Sequence, residues 1–121
     1  MRILLAEDDK NLGIVMKSEL EDEECHIDLV HDGVEAVLLC LDNPYNFVLL
    51  DIVMPHLDGI NAIRIIKRLN PNIPVLAFSG NAGSHQMEAS CRAGAIACLT
   101  KPFPMSELKD YLKKCHRARL N

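Results

Sequence analysis

Short apolar runs alternate along this chain with segments in which apolar residues recur every three or four positions. A continuous apolar run of about four residues is typical of a strand buried on both faces, whereas the wider spacing is typical of a helix with one buried side. The two kinds of segment follow one another along the whole chain, which predicts the order βαβαβαβαβα. The predicted strands cover residues 3–6, 27–30, 47–50, 75–78 and 96–99.

The predicted helices are recognised by their spacing and by capping residues. In the second helix the spacing falls on four aliphatic residues: Val34, Val37, Leu38 and Leu41. Asp32 followed by Glu35 is a capping-box pattern, Ser84 is in position to cap the fourth helix, and Ser106 lies near the start of the fifth.

Helices of this length between successive strands need right-handed crossovers, which give a mostly parallel sheet with helices on both faces. The predicted architecture is therefore a three-layer α/β/α sandwich. Periodicity alone does not give the order of the strands.

Length and composition predict one domain over residues 1–121, with a folded core of about 1–117 and a basic carboxyl-terminal end. The chain has 121 residues and 49% of them are apolar, which is enough for a single core. The net charge of −4 argues against binding nucleic acid through the overall field of the domain. The basic residues of 113–119 are expected to form the exposed face and end of the last helix.

The cysteines predict a reducing compartment. There are five, an odd number, with no Cys-x-x-Cys pair, and most lie in apolar patterns, so we expect buried or half-buried thiols. No apolar segment approaches the roughly 20 residues that span a bilayer. A soluble cytoplasmic protein is the expectation.

Charged residues follow several predicted strands directly. Asp51 ends the third strand, the acidic cluster 7–9 follows the first, and Lys101 follows the fifth. The carboxyl ends of parallel strands meet at one edge of a sheet, where such folds place their chemistry. Three carboxylates converging there repel one another, and a hard cation with oxygen ligands, such as Mg²⁺, relieves that repulsion.

Each of these residues also has a purely structural interpretation. An isolated acid after a strand is usually a helix cap or a solvated loop residue, and Glu7 and Asp8 could cap the first helix as Asp9 or Asn11 could. Ser79 with Gly80 could be a turn, and Lys101 a surface lysine.

The combination of Glu7-Asp8-Asp9, Asp51-x-x-Met54-Pro55-x-x-Asp58-Gly59, Ser79-Gly80 and Lys101-Pro102-Phe103 is similar to the receiver domain of two-component response regulators. The resemblance covers essentially the whole chain. It implies a flavodoxin-like fold with strand order 2-1-3-4-5 and a site at the carboxyl edge of the sheet. It also implies that the bond between Lys101 and Pro102 is cis.

The resemblance assigns a role to each candidate site residue. Asp51 is the phosphoryl acceptor, Lys101 the phosphate-binding cation and Ser79 the switch hydroxyl. The implied metal is Mg²⁺, with Mn²⁺ as the alternative, and its implied ligands are Asp8, Asp51 and the backbone carbonyl of Val53, with Glu7 acting mostly through water.

The implied function is that of a phosphoacceptor signalling switch. A histidine kinase or phosphotransfer protein would donate a phosphoryl group to Asp51 in a Mg²⁺-dependent reaction. The change would be read on the fourth helix, fifth strand and fifth helix by an output protein or domain, and that face could form a phosphorylation-dependent homodimer. Such a receiver is no turnover enzyme on an external substrate, and neither nucleic acid nor membrane is an expected partner.

Two other function classes stay in view. The first is a pseudo-receiver that binds partners without phosphorylation, against which the intact set of Asp8, Asp51, Ser79 and Lys101 counts. The second is an enzyme on a similar sheet, such as an aspartyl phosphatase or a flavin or nucleotide binder. Those phosphatases have Asp-x-Asp, whereas Val53 stands in the second position, and the chain has no glycine-rich phosphate loop.

One position departs from the family. Many receivers have tyrosine or phenylalanine two residues before the Thr-Lys-Pro segment, where this chain has Cys98. A small thiol cannot fill or vacate the volume of a ring, so the usual coupling to the switch hydroxyl needs another route. Displacement of residues 81–85 is one hypothesis.

Overall fold

The structure, a computed structural model, describes residues 1–80 and 83–120, apart from the side chain at position 84. Within these ranges strands and helices alternate as the apolar pattern predicts. The strands are β1 (Arg2–Ala6), β2 (His26–Val30), β3 (Phe47–Asp51), β4 (Val75–Ser79) and β5 (Ala97–Thr100). The helices are α1 (Lys10–Leu20), α2 (Gly33–Asp42), α3 (Gly59–Leu69), α4 (Ser84–Ala93) and α5 (Met105–Leu120).

The five strands form one parallel sheet in the order β2-β1-β3-β4-β5. This confirms both the parallel sheet and the strand order that the resemblance implied. β1 and β3 are neighbours, and β4 lies beside β3, so the ends of these three strands lie next to one another. β5 is the edge strand beside β4.

Alternate residues of each central strand enter two separate cores. Leu4, Val48 and Leu50 belong to one apolar cluster, which also contains residues of α2 and α3. Phe47 and Leu49 belong to the other, with residues of α1 and α5. The sheet is therefore covered on both faces, and the predicted three-layer sandwich is confirmed.

Two of the capping predictions can be compared with the helix ends. The N–H of Glu35 donates to Asp32 Oδ1 at 2.8 Å, so Asp32 caps α2 as predicted. The prediction for Ser84 is wrong in position, because α4 begins at Ser84 itself and Gly83 occupies the cap.

Burial corrects two further expectations. Cys91 is exposed, whereas the other cysteines are buried or half-buried, because Cys91 lies about 100° around α4 from the buried Ser90. Val34, Leu38 and Leu41 carry the helical spacing of α2, yet their side chains are 42%, 53% and 57% exposed. Among the described helices, none is long and apolar enough to cross a membrane.

Candidate active site

The carboxyl ends of β1, β3, β4 and β5 bring the predicted site residues together. Lys101, directly after β5, extends its ammonium group to Asp51 Oδ2 at 2.9 Å and to Glu7 Oε1 at 2.5 Å. The backbone N–H of Lys101 donates to the carbonyl of Ser79 at 2.8 Å. The Lys101–Pro102 bond is cis, as the resemblance implied. Four segments that are distant in sequence thus meet within one cleft.

Asp51 is the last residue of the central strand β3 and is almost fully buried. Its Oδ1 accepts a hydrogen bond from the backbone N–H of Val53 at 3.0 Å, and its Oδ2 faces Lys101. Both carboxylate oxygens therefore have a donor, which holds the group in one orientation. An oriented carboxylate at the floor of a cleft is suited to nucleophilic attack.

Glu7 is fully buried, and one of its oxygens, Oε2, has no hydrogen-bond partner among the described residues. Burial, together with the hydrogen bond and the charge of Asp51, raises the pKa of Glu7 to about 8, although Lys101 acts in the opposite direction. A buried carboxylate with an unpaired oxygen is costly unless a proton or a cation is supplied.

The donor set fits a hard divalent cation. Oxygen atoms of Glu7, Asp8 and Asp51 all lie within 4.8 Å of one another, and Asp8 is exposed at the mouth of the cleft. Carboxylate oxygens beside an open, hydrated position are what Mg²⁺ prefers, because it keeps several of its waters. Oε2 of Glu7, which has no hydrogen-bond partner among the described residues, would accept a hydrogen bond from a water molecule of such a hydrated ion.

The alternative interpretation of the acidic cluster as a helix cap applies to Asp9. The N–H of Leu12 donates to Asp9 Oδ1 at 3.1 Å, and Asp9 is the N-cap of α1. Asp9 also borders the cleft, but its carboxylate is engaged at the helix end. Glu7 and Asp8 are thus not needed to cap α1.

Two substitutions separate these roles. Asp9→Ala is expected to lower the free energy of unfolding by about 1 kcal/mol through loss of the cap, and to retain the metal-dependent phosphorylation that the resemblance implies. Asp8→Ala is expected to abolish that phosphorylation with little loss of stability. Urea unfolding and intact mass after incubation with acetyl phosphate measure the two effects. Equal effects of both variants on both measurements would contradict the division of roles.

The buried Glu7 predicts an unusual pH dependence of stability in metal-free protein. Its pKa is near 4.5 in the unfolded chain and about 8 in the folded one, so the folded state binds the extra proton between these values. The free energy of unfolding should therefore fall as pH rises through this window, by roughly 2–4 kcal/mol. Urea unfolding with a chelator present measures this slope.

Glu7→Gln is the matched control, because the amide keeps the shape but does not titrate. The variant should lose most of the slope, and any part that remains belongs to other groups. Mg²⁺ should restore stability to the wild-type protein at the alkaline end. An unchanged slope in Glu7→Gln would remove Glu7 as the cause.

Sequence reasoning missed two residues near the site. Gln86, in the first turns of α4, borders the cleft together with Val53 and Ser79. The ring Nδ1 of His31 donates to the backbone carbonyl of Glu7 at 3.0 Å. No spacing rule points to either residue, since each reaches the site only through packing of its own element.

The structure describes the end of β4 and the segment after it in part. Ser79 is buried at the end of β4, and Cys98 is buried in β5 opposite Ala77. Burial raises the pKa of the Cys98 thiol. Residues 81 and 82 lie outside the described residues, so the proposed displacement of 81–85 stays a prediction.

Comparison with known proteins shows which family has this architecture. Residues 3–113 match the family model of the response regulator receiver domain. This chain belongs to that family. The receiver is 31% identical over 107 residues to the response regulator ArlR of Staphylococcus saprophyticus, a match that covers 88% of this chain and 48% of ArlR. It spans about half or less of the length of the curated relatives that it matches.

Solved structures are similar over nearly the whole receiver. The receiver domain of Francisella response regulator 1452 has a TM-score of 0.88 and 30% identity, with 98% of both chains covered. The receiver domain of the sensor histidine kinase PA1611 from Pseudomonas aeruginosa has a TM-score of 0.84 and 32% identity, over 93% of this chain and 94% of that one. The latter was solved with a magnesium ion coordinated in its active site cleft.

Proposed function

We propose that residues 1–121 form one receiver domain in which Asp51 accepts a phosphoryl group from a histidine kinase or phosphotransfer protein. The observation that carries this proposal is the contact of Lys101 with both Asp51 and Glu7. It places a cation beside the oxygen that would attack phosphorus. A buried nucleophile, a cation and a group of carboxylates meet in one cleft, as phosphoryl transfer requires.

The proposed reaction is an in-line displacement. A carboxylate oxygen of Asp51 forms a bond to phosphorus while the bond from phosphorus to the donor nitrogen breaks, and the leaving imidazole keeps the electron pair. Lys101 stabilises the charge that develops on the phosphoryl oxygens. Hydrolysis reverses the modification: a water oxygen attacks phosphorus, the bond to Asp51 breaks, and the carboxylate returns.

The proposed metal is Mg²⁺, with Mn²⁺ as the alternative. Asp8, Asp51 and the backbone carbonyl of Val53 would hold it, with Glu7 acting mostly through water. When bound, the ion would neutralise the carboxylates and the incoming phosphoryl oxygens. Val53 and Asp8 both border the cleft, and the closely spaced carboxylate oxygens support this assignment.

The proposed switch begins at Ser79 and ends on the face formed by α4, β5 and α5. Ser79 lies beside Lys101 at the edge of the sheet, where its hydroxyl could follow a phosphoryl oxygen. Met87, Ile96 and Tyr111 expose apolar surface on that face, which suits contact with an output protein or domain, or a phosphorylation-dependent dimer. We propose no turnover of an external substrate.

Five free thiols suit a reducing compartment, and the cytoplasm is the proposed location. The pseudo-receiver is the second candidate, but none of the described residues of the cleft favours it. A contact between Lys101 and Asp51 that leaves both oxygens of Asp51 oriented is what a working acceptor needs.

The proposal is tested by intact mass after incubation with acetyl phosphate and Mg²⁺. We expect a gain of one phosphoryl mass that a chelator prevents and that a beryllofluoride mimic blocks by saturable binding. A folded protein that shows neither modification nor mimic binding would contradict the phosphoacceptor switch and favour the pseudo-receiver.

A further inference from the structure

The outer side of α2 carries an unusual apolar stripe. Val34, Leu38 and Leu41 recur at helical spacing, and each is about half exposed. On a single-domain surface such positions are normally polar, whereas contiguous apolar patches mark places of contact.

Helix α3 extends this stripe. It packs between α2 and α4. A Cβ added to Gly94, at the end of α4, would lie 2.7 Å from Lys67 Cγ. The side of α3 that carries Lys67 therefore faces α4. Ile65 and Leu69 are each two residues from Lys67, about 200° around the helix, and therefore lie on the opposite flank, toward α2. Both are partly exposed.

The flank of α2 that faces α3 is also defined by a contact. A Cβ on Gly33 would lie 2.1 Å from the carbonyl oxygen of Leu57, just before α3. Val37 and Leu41 follow Gly33 at four-residue intervals and share its flank. The exposed residues of the two helices thus form one surface, which we call the α2–α3 patch: Val34, Leu38, Leu41, Ile65 and Leu69.

Opposite charges border the two sides of the α2–α3 patch. Glu35 and Asp42 lie about 180–200° around α2 from Gly33, on the side away from α3. Arg64 and Arg68 lie about 100° and 60° around α3 from Ile65, on the side of Ile65 away from α2. All four residues are exposed. Across the patch the order is therefore acidic, apolar, basic.

This order is self-complementary under one particular symmetry. A two-fold axis parallel to the helices would place α2 of one copy on α3 of the other, so that each acidic border meets a basic one. Asp42 and Arg68 each lie nine residues after the first residue of their helix, and the Gly33–Leu57 contact holds the two helix starts close together. Asp42 would then face the partner's Arg68.

We propose that two copies of this chain associate through the α2–α3 patch, with α2 of each copy against α3 of the other. The proposal is independent of phosphorylation and concerns a different face from α4, β5 and α5. Buried aliphatic surface supplies the attraction, and the charged borders choose the orientation.

Analytical ultracentrifugation over a wide range of protein concentrations, without phosphoryl donor, tests the proposal. We expect a reversible monomer–dimer equilibrium. Leu38→Lys should raise its dissociation constant by about tenfold or more, because it buries an unpaired charge near the partner's arginines. Ile14→Lys is the matched control, since Ile14 is similarly exposed on α1, on the other face of the sheet, and it should leave the constant unchanged.

Charge reversal tests the orientation. Asp42→Lys and Arg68→Glu should each weaken the dimer, and the double variant should recover most of the loss. A chain that stays monomeric throughout, or a dimer that Ile14→Lys disrupts and Leu38→Lys does not, would overturn the proposal. If the double variant does not recover the lost dimer affinity, the arrangement of α2 on the partner's α3 is wrong. Phosphorylation by acetyl phosphate in each variant reports separately on the fold and on Asp51.

Discussion

Asp51→Asn is expected to reduce phosphorylation by acetyl phosphate to background. The amide of asparagine has nearly the shape of the carboxylate, so its oxygen can still accept from the N–H of Val53. It has no negative charge with which to attack phosphorus. The NH2 group of the amide replaces Oδ2 opposite Lys101, so that contact is lost and Lys101 keeps its contact with Glu7. Intact mass measures the result, and the hydroxylamine lability of the wild-type adduct identifies it as an acyl phosphate.

The same substitution should leave the fold intact. Asp51 raises the pKa of Glu7 through its hydrogen bond and its charge, after the larger effect of burial. Removing that charge relieves repulsion in the cleft, so we expect the free energy of unfolding to stay the same or to rise. Loss of phosphorylation therefore could not be attributed to unfolding.

Asp58→Asn is the control on the same loop. Asp58 caps α3 by accepting from the N–H of Asn61 at 3.0 Å, and asparagine caps as well as aspartate does. This variant should be phosphorylated normally. A mass gain that survives in Asp51→Asn, or that is lost equally in Asp58→Asn, would show that the acceptor is another residue.

Gly59→Ala is expected to destabilise the fold strongly. A Cβ at this position would lie 2.4 Å from the carbonyl oxygen of Asp51 and 2.5 Å from Cα of Ile52. These are backbone atoms of a central strand and its extension, and they cannot rotate away. We expect the free energy of unfolding to fall by roughly 3–5 kcal/mol.

The consequence for the site follows from the same contact. Gly59 N–H donates to the carbonyl of Ile52 at 2.7 Å, which brings the start of α3 against the end of β3. Moving α3 outward would shift Asp51, so phosphorylation of the folded fraction should also fall. Urea unfolding and intact mass measure the two effects.

Gly80→Ala is the matched control, because a Cβ there meets no atom of the described residues within 4 Å. It adds the same methyl group beside the same cleft and should change stability by less than about 1 kcal/mol. If Gly59→Ala were as stable as Gly80→Ala, the close approach of α3 to β3 would not be what fixes the position of Asp51.

The sequence predicted the elements and the members of the site well. Apolar runs and helical spacing depend on neighbouring residues, so they define strands and helices locally. Asp51 and Lys101 follow such runs directly, and parallel strands place their ends at one edge. Their meeting could therefore be expected before any contact was known.

Other features could not be predicted, because they depend on which surfaces the elements press together. Neighbouring Glu7, Asp8 and Asp9 are alike in sequence, but packing buries the first, exposes the second and uses the third to cap α1. Gln86 reaches the cleft only because α4 lies over its edge. Lys67 is partly buried because its side of α3 faces α4, whereas Ile65, on the side toward α2, stays exposed. Only the packing of the helices shows this difference.

By itself the sequence determined the order of strands and helices, the chemical groups at the strand ends and, through its likeness to receivers, the strand order. Three features were decided only by the tertiary structure. One oxygen of Glu7 has no hydrogen-bond partner among the described residues, Gly59 packs directly against the backbone of Asp51, and Leu38 lies outside the core. The physical reason is that periodicity states which side of a helix is apolar, whereas burial requires a partner surface. An apolar side that has no partner within the domain is left exposed.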